Sequence, residues 1–253
     1  MAVALAARGF KLPRFEPWRL LKPLRMFDGQ FYPYQPIQFM DGLLNPIIGA
    51  GNPPVQRTFL GALTQNVAST GYNYGNFSPV SAGLLVVGCI GRAGAGRTVS
   101  SISVGGSSQT LLTNPSGDQN PNALVCVPVS AGSYAVSCTF SGGCTHSVAF
   151  GWLLQNVQNN TPVSVFGANF NPGGVSSVTG SVNIMAGGSV CAIHMHPNTS
   201  GTTWTGLTEE YDAVTTVSYS AADGDFVSDQ TGYNVTAAWT SNNSYALSVG
   251  SWR

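Results

Sequence analysis

Hydrophobic and polar residues alternate along short stretches of the chain from about residue 60 to its end. In the segment Ser133–Phe140, every second residue from Tyr134 onward is apolar, so these side chains fall on one face of an extended strand. Clusters of Gly, Asn, Pro and Ser separate such stretches, and no segment shows the 3.6-residue period of a helix. The other predicted strands are Gly83–Ile90, Val99–Val104, Leu124–Val127, His146–Leu154, Ser181–Ile184, Ser189–His196, Val214–Ser220, Asn234–Thr240 and Ser244–Gly250. Alternation in Asn234–Thr240 puts Val235, Ala237 and Trp239 on one side, and a Ser-Asn-Asn turn is predicted between this strand and Ser244–Gly250.

Short strands at this spacing predict an all-β protein in which residues 59–253 form an antiparallel β-sandwich. Jelly-roll and immunoglobulin-like topologies both fit the pattern. Hydrophobic residues make up 43% of the 253-residue chain, which is enough for a substantial core.

Residues 1–58 differ in character from the rest of the chain. They hold eight of the fifteen prolines, and eight aromatic residues lie within the first 39 positions. Prolines this frequent exclude long helices and central strands, so we expect an extended N-terminal arm. Six basic residues against one acidic residue give the first 25 positions a net charge of +5.

A segment this rich in aromatic side chains is unlike a disordered linker, because exposing so many rings to water is costly. We therefore expect the arm to dock on a partner, although packing against its own domain stays open. Aromatic and arginine side chains dominate the energetics of protein interfaces. The predicted anchors are Arg14, Phe15, Trp18, Arg19 and Phe27.

Charged residues are scarce, at 8% of the chain against an average near 25%. Between Phe59 and Thr208 only Arg92, Arg97 and Asp118 are charged. Free soluble proteins normally rely on surface charge for solubility. The composition therefore favours a protein held in an assembly, such as a homo-oligomer or a larger particle. The apolar runs are too short to span a membrane, so no membrane partner is expected.

Five cysteines, at positions 89, 126, 138, 144 and 191, lie mostly within apolar strand patterns. We expect buried free thiols, which suits assembly in a reducing cytoplasm. A disulfide between Cys138 and Cys144 stays open as an alternative.

The segment Gly91–Thr98 (GRAGAGRT) nearly fits the phosphate-binding pattern G-x-x-x-x-G-K-[ST]. A true phosphate-binding loop needs a helix after this motif, so that backbone amides surround the phosphates. Here the following residues, Val99–Val104, predict a strand that enters a turn at Gly105-Gly106, with Gln109–Leu112 as its hairpin partner. We therefore interpret the motif as a loop between strands.

Two groups of residues have the chemistry of metal ligands. His194 and His196 share one face of a predicted strand, but a closed zinc site needs four ligands, so we expect a solvent-facing pair and no metal site. The loop containing Asp223, Asp225 and Asp229 is rich in carboxylates, which calcium prefers. Its spacing does not fit an EF-hand, and a solvated acidic rim is the main prediction, with a calcium ion left open.

Other candidate chemistry is sparse. Glu209 and Glu210 are adjacent and would point in opposite directions on a strand, which disfavours a pair of carboxylates for glycoside hydrolysis. No nucleophile motif of the G-x-S-x-G type occurs, so we do not expect an enzyme or a catalytic residue. Trp204 and Tyr211, if exposed, would suit stacking on sugar rings, and either one would equally suit a core.

Three stretches carry a resemblance to known proteins: LLVVGCIGRAGAGRTVSSISVGG, VPVSAGSYAVSCTFSGG and NVTAAWTSNNSYALSVGSWR. Together they give residues 80–253 a strand order and a general sequence character that resemble the β-sandwich domains of tailed-bacteriophage virion proteins. These include capsid decoration proteins, head fibres and tail-fibre modules. The resemblance implies an N-terminal segment that anchors to the particle, a role that residues 1–58 match in character.

These observations predict a structural virion protein of a tailed phage, assembled in the host cytoplasm. Its arm would dock on capsid, tail or baseplate proteins, and its sandwich would face outward as in a capsid decoration or cement protein. One alternative is a tail-fibre or receptor-binding module that recognises a host surface saccharide. Another is a small-virus coat protein whose basic arm lies on the genome, but a charge of +5 is low for nucleic-acid binding.

Overall fold

The computed structural model describes residues 52–115 and 119–253 and, within them, the backbone but not the side chains of residues 170–173. This part of the chain forms fourteen β-strands and no helix, so nothing in it is a helix that could span a membrane. The all-β prediction is confirmed. In chain order the strands are β1 (Gln56–Gln65), β2 (Ser69–Phe77), β3 (Gly83–Arg92), β4 (Val99–Val104), β5 (Ser107–Ser108), β6 (Asn122–Val129), β7 (Tyr134–Cys144), β8 (His146–Gln155), β9 (Ser164–Ile184), β10 (Gly188–His196), β11 (Thr203–Thr205), β12 (Thr208–Val214), β13 (Ser218–Phe226) and β14 (Gln230–Trp252).

The strands form three antiparallel sheets. The first, here called the central sheet, has the order β1-β8-β3-β6. The second, the small sheet, has the order β2-β7-β4-β5. The third, the large sheet, has the order β11-β14-β10-β13-β12, with β9 also pairing along β14.

The central sheet is covered on both faces. Leu85, Val87 and Cys89 of β3 join a cluster with buried residues of the small sheet. The intervening residues Leu84 and Val86 join a second cluster with buried residues of the large sheet. Because both faces are apolar, β3 and β8 read as continuous hydrophobic runs rather than as alternating strands, and each has eight consecutive buried positions.

Strands β9 and β14 pair over most of their length and form a long ribbon that folds back on itself. Its register shifts between Ala238 and Tyr245 mark the bend. A methyl group added at Gly180 would lie 2.6 Å from the ring of Phe166, although the two residues are fourteen positions apart along β9. The folded ribbon therefore covers the face of the large sheet that points away from the central sheet, and the two enclose a third apolar cluster.

The structure thus confirms an antiparallel stack of packed sheets, and it has more layers than the two sheets of a jelly roll or an immunoglobulin domain. Two of the predicted elements in the second half of the chain are wrong. The segment Val214–Ser220 spans a turn between β12 and β13 instead of forming one strand. The predicted turn after Thr240 lies instead at the bend of the continuous strand β14.

Candidate functional site

The N-terminal end of the described chain is fixed against its C-terminal end. The Arg253 guanidinium donates hydrogen bonds to the backbone oxygens of Asn52 and Pro53, at 2.8 and 2.9 Å. The amide of Val55 donates to the backbone oxygen of Gly187 at 2.8 Å. Strand β1 starts at the next residue, Gln56, which is three residues before the predicted domain boundary at residue 59.

The five residues predicted to anchor the arm lie outside the described residues: Arg14, Phe15, Trp18, Arg19 and Phe27.

The glycine-rich segment that resembles a phosphate-binding loop connects two strands, as predicted. Its first two residues end β3 and the rest leads into β4, so no helix N-terminus is present there to bind a phosphate. Gly91 packs closely, because a Cβ atom at this position would lie 2.9 Å from the Cys144 sulfur. The turn at Gly105-Gly106 also forms, but the strand that returns along β4 is Ser107–Ser108 rather than Gln109–Leu112.

The histidine pair is buried, which corrects the prediction of a solvent-facing pair. His194 and His196 lie on one face of β10, opposite the core residues Ile193 and Met195, and both have an exposed fraction of 0%. They are buried because the folded ribbon covers this face of the sheet. The alternation of the sequence correctly predicted which residues of β10 share a face, but it did not predict that the ribbon of β9 and β14 covers the face with the histidines.

Two tryptophans enclose these histidines and complete what is here called the histidine–tryptophan cluster (His194, His196, Trp204 and Trp239). The ring of Trp239 stacks on His196 with an interplanar angle of 12° and a centroid distance of 5.2 Å, and its centroid lies 5.0 Å from that of His194. Trp204 meets His194 edge to face at 6.0 Å. Strands β10, β11 and β14 therefore each contribute to the cluster.

Several ring nitrogens of the cluster lack a hydrogen-bond partner. His194 Nδ1 lies 3.2 Å from Thr202 Oγ1, and the Trp204 indole donates to Ser220 Oγ at 2.6 Å. His194 Nε2 and the indole nitrogen of Trp239 are buried without a partner among the described residues, and the His196 ring has the side chain of Asn198 beside it. Buried polar groups are normally paired, so these nitrogens set the cluster apart from an ordinary core contact.

Burial lowers the pKa of both histidines. The pKa of His194 falls well below its usual value, because of burial and then because of the neighbouring His196. Burial lowers the pKa of His196 to about 4, and the nearby Asn198 opposes this shift only in part. Both imidazoles are consequently neutral near pH 7, with lone pairs free to accept a hydrogen bond or a metal ion.

The predicted acidic loop is not a simple solvated rim, because Arg57 of β1 forms ion pairs with two of its carboxylates. Arg57 Nη2 lies 2.7 Å from Asp223 Oδ1, and Arg57 Nη1 lies 2.6 Å from Asp225 Oδ1. Asp229 is separate from this bridge and accepts a hydrogen bond from the amide of Ala186 at 2.6 Å. The Arg57 guanidinium thus neutralises Asp223 and Asp225, the two carboxylates that would otherwise be available to a calcium ion.

Asp223 is the buried member of this Arg57 bridge. Its side chain is 1% exposed, and its Oδ2 atom accepts a hydrogen bond from the Trp152 indole at 2.9 Å. Burial raises the pKa of Asp223 to about 7, against the opposing effect of Arg57, and the carboxyl group of Glu210 raises it further. The bridge connects the central sheet to the large sheet, since β1 belongs to one and β13 to the other.

The residues considered for glycan chemistry have largely structural surroundings. Trp204 packs in the histidine–tryptophan cluster, Tyr211 meets Phe150 edge to face at 5.7 Å, and both residues are partly buried against the core. A bulge between Glu209 and Tyr211 displaces Glu210 from the regular alternation of β12 and brings its carboxyl group near Asp223.

All five cysteines are free, and four of them are buried, as the sequence predicted. Burial raises the pKa of the Cys138 thiol well above its usual value and that of Cys144 to about 12. Both thiols are therefore protonated at neutral pH and poor nucleophiles.

No family model, curated protein or solved structure matches this chain.

Proposed function

We propose that this chain is a structural virion protein of a tailed phage, of the capsid decoration or cement type. In this proposal the N-terminal segment docks on neighbouring virion proteins through Arg14, Phe15, Trp18, Arg19 and Phe27, and the β-domain faces outward. The resemblance of residues 80–253 to phage β-sandwich domains supports the class of particle.

The observation that carries the proposal is the scarcity of free charge on the described domain. Its only basic residues are four arginines. Arg57 is paired with Asp223 and Asp225, and Arg92 donates to Gln119 and Asn120 at 2.8 and 3.2 Å. Surface charge keeps proteins soluble and monomeric, so a domain with so few charges tends to associate with its neighbours. This property is typical of a protein that is held in an assembly.

Residues 52–253 form one compact unit, which contains the three apolar clusters described above. We expect these residues to fold without the first 51, so that the aromatic residues of the N-terminal segment serve a surface other than this core.

Deletion of residues 1–40 tests the proposal. The truncated protein is expected to remain folded, with the far-ultraviolet circular dichroism of a β-protein, but to be absent from purified particles. A matched control is Val80→Ser, at a residue that is 86% exposed on the β-domain, which should be incorporated like the wild type. Normal incorporation of the truncated protein would contradict the proposal.

A second candidate function is recognition of a host saccharide, and one surface feature favours it. Thr205, Thr236 and Thr179 lie side by side on β11, β14 and β9, and the hydroxyls of Thr179 and Thr236 are 2.8 Å apart. This uncharged row of hydroxyls can exchange hydrogen bonds with sugar hydroxyls. The test is to measure whether residues 52–253 bind host-cell glycans and whether Thr179→Val abolishes this binding. Such a result would support saccharide recognition over a purely structural role.

A further inference from the structure

We propose that one end of the β-domain binds a second copy of this chain in a two-fold symmetric dimer. Two turns lie side by side at this end: residues 185–187 follow β9, and residues 227–229 follow β13. The amide of Gly187 donates to the backbone oxygen of Phe226 at 2.7 Å, which holds the two turns together. These turns and the cavity beside them are here called the turn surface.

The turn surface carries an apolar side chain with almost no cover. Val227 has an exposed fraction of 97%, the highest among the large hydrophobic residues that the structure describes. Met185, on the adjoining turn, is 48% exposed. Single exposed apolar residues are common, but two on adjoining turns form a patch that a partner can cover.

Met185 also lines a cavity of about 330 Å³. Pro162 and Val163, from the loop between β8 and β9, contribute further apolar lining. This loop is held in place, because the amide of Val163 donates to the backbone oxygen of Ser251 at 2.8 Å. A cavity with fixed walls can accept an aliphatic side chain from a partner at little cost in ordering.

A projecting side chain and a cavity on the same end of one molecule are what a two-fold dimer requires. In such a dimer the same surface of both subunits meets, so that each contact between two different residues occurs twice. Val227 of each subunit would enter the cavity of the other.

The charges of the turn surface are complementary in the same way. Arg253 lines the cavity, and its guanidinium uses two of its five N–H groups on the backbone oxygens of Asn52 and Pro53. Asp229 lies on the adjoining turn, where one carboxylate oxygen accepts the amide of Ala186. Neither Arg253 nor Asp229 forms an ion pair with another side chain of the described residues, so two-fold symmetry would let each pair with the other across the interface.

The dimer requires only this chain, so it is tested on the purified full-length protein and does not depend on the proposed virion role. Sedimentation velocity at concentrations up to about 100 μM should show an equilibrium between monomer and dimer. Val227→Asp puts a charge into the apolar contact and should weaken the dimer at least about tenfold.

Val67→Asp is the matched control. Val67 is 61% exposed and lies beyond the C-terminal end of β1, whereas the N-terminal end of β1 is joined to Asp225 by Arg57. It is therefore far from the turn surface, and the variant should dimerise like the wild type.

Reversal of the two charges tests the symmetry. Arg253→Glu and Asp229→Arg, each alone, should dimerise more weakly than the wild type, because like charges then meet at both copies of the contact. An equimolar mixture of the two variants should dimerise more strongly than either one alone, since opposite charges meet again at both contacts. Circular dichroism checks that each variant is folded.

Several outcomes would overturn the dimer. A wild type that stays monomeric at about 100 μM does so without reference to any variant. Equal dimerisation of Val227→Asp and the wild type places the interface elsewhere, and a mixture no stronger than its components excludes the two-fold contact between Arg253 and Asp229. Protection of residues 227–229 from amide exchange in the monomer would show that another part of the chain covers the turn surface.

Discussion

At the scale of single residues, the described domain contains two buried groups whose protonation differs between folded and unfolded chains. His194 and His196 hold neutral imidazoles between layers of the domain, and Asp223 holds a carboxyl group beside Arg57. Each group makes stability depend on pH, and the two dependences have opposite signs.

The histidines should make the domain less stable in acid. Their pKa values are lowered on folding, so below about pH 6.5 the unfolded chain binds protons that the folded state cannot accept. The free energy of unfolding should therefore fall as the pH decreases from 6.5 toward 4. Urea denaturation at several pH values measures this slope, which should be shallower in His196→Gln than in the wild type. An equal slope in the variant and the wild type would contradict this assignment.

Asp223 should act in the opposite direction. Its pKa is raised from 3.8 to about 7 on folding, so its contribution is fully present below pH 3.8 and is lost as the pH rises through 7. The substitution Asp223→Asn should abolish this pH-dependent loss of stability, because an amide does not ionise. The new amide oxygen can still accept the hydrogen bond from the Trp152 indole. The stability curve of the variant should then show a steeper net rise from pH 4 to pH 7 than the wild type. A curve parallel to that of the wild type would show that Asp223 is ionised throughout.

At the scale of elements, the ribbon of β9 and β14 depends on a close contact between its two halves. A Cβ atom at Gly180 would lie 2.6 Å from Phe166 Cδ1, so Gly180→Ala must displace the ring. We expect a loss of about 1–3 kcal/mol in the free energy of unfolding, measured by chemical denaturation. Gly174→Ala in the same strand is the matched control, since a Cβ atom there has no neighbour within 4 Å.

The contact can also be tested by compensation. Phe166→Leu should restore part of the stability lost in Gly180→Ala, because the smaller side chain leaves room for the new methyl group. Purely additive effects of the two substitutions would contradict a folded-back ribbon.

Sequence pattern predicts the elements of this fold better than it predicts their layering. Alternation placed Val235, Ala237 and Trp239 on one buried face, as the structure confirms. The same alternation predicted that His196 faces solvent. A strand whose second face is covered by a ribbon from far along the chain has the same local sequence pattern as a strand whose second face is exposed. The apolar flanks in VCAIHMH were the only available signal.

Long-range pairing was harder still to predict. Nothing in the residues around Arg57 identifies Asp223 as its partner, 166 positions away, since the ion pair depends on how two sheets pack. The same limit explains why the residues after Thr240 were predicted as a turn. They have the Ser and Asn composition of a turn, and only pairing with β9 makes them part of one strand.

At the scale of the whole molecule, the chain combines a β-domain with few charged residues and an N-terminal segment rich in proline and aromatic residues. Expression of residues 52–253 alone should give a folded domain with a single cooperative thermal transition. A polypeptide that is unfolded or insoluble without residues 1–51 would contradict this division.

The proposed virion role is tested most directly by a reconstruction of the particle from which this protein is purified, at a resolution that traces the chain. We expect density for the layered β-domain on the outer surface, with the proposed anchor residues Arg14, Phe15, Trp18, Arg19 and Phe27 in contact with another virion protein. Absence of the chain from the particle, or attachment through the sheets with those five residues in solvent, would contradict it.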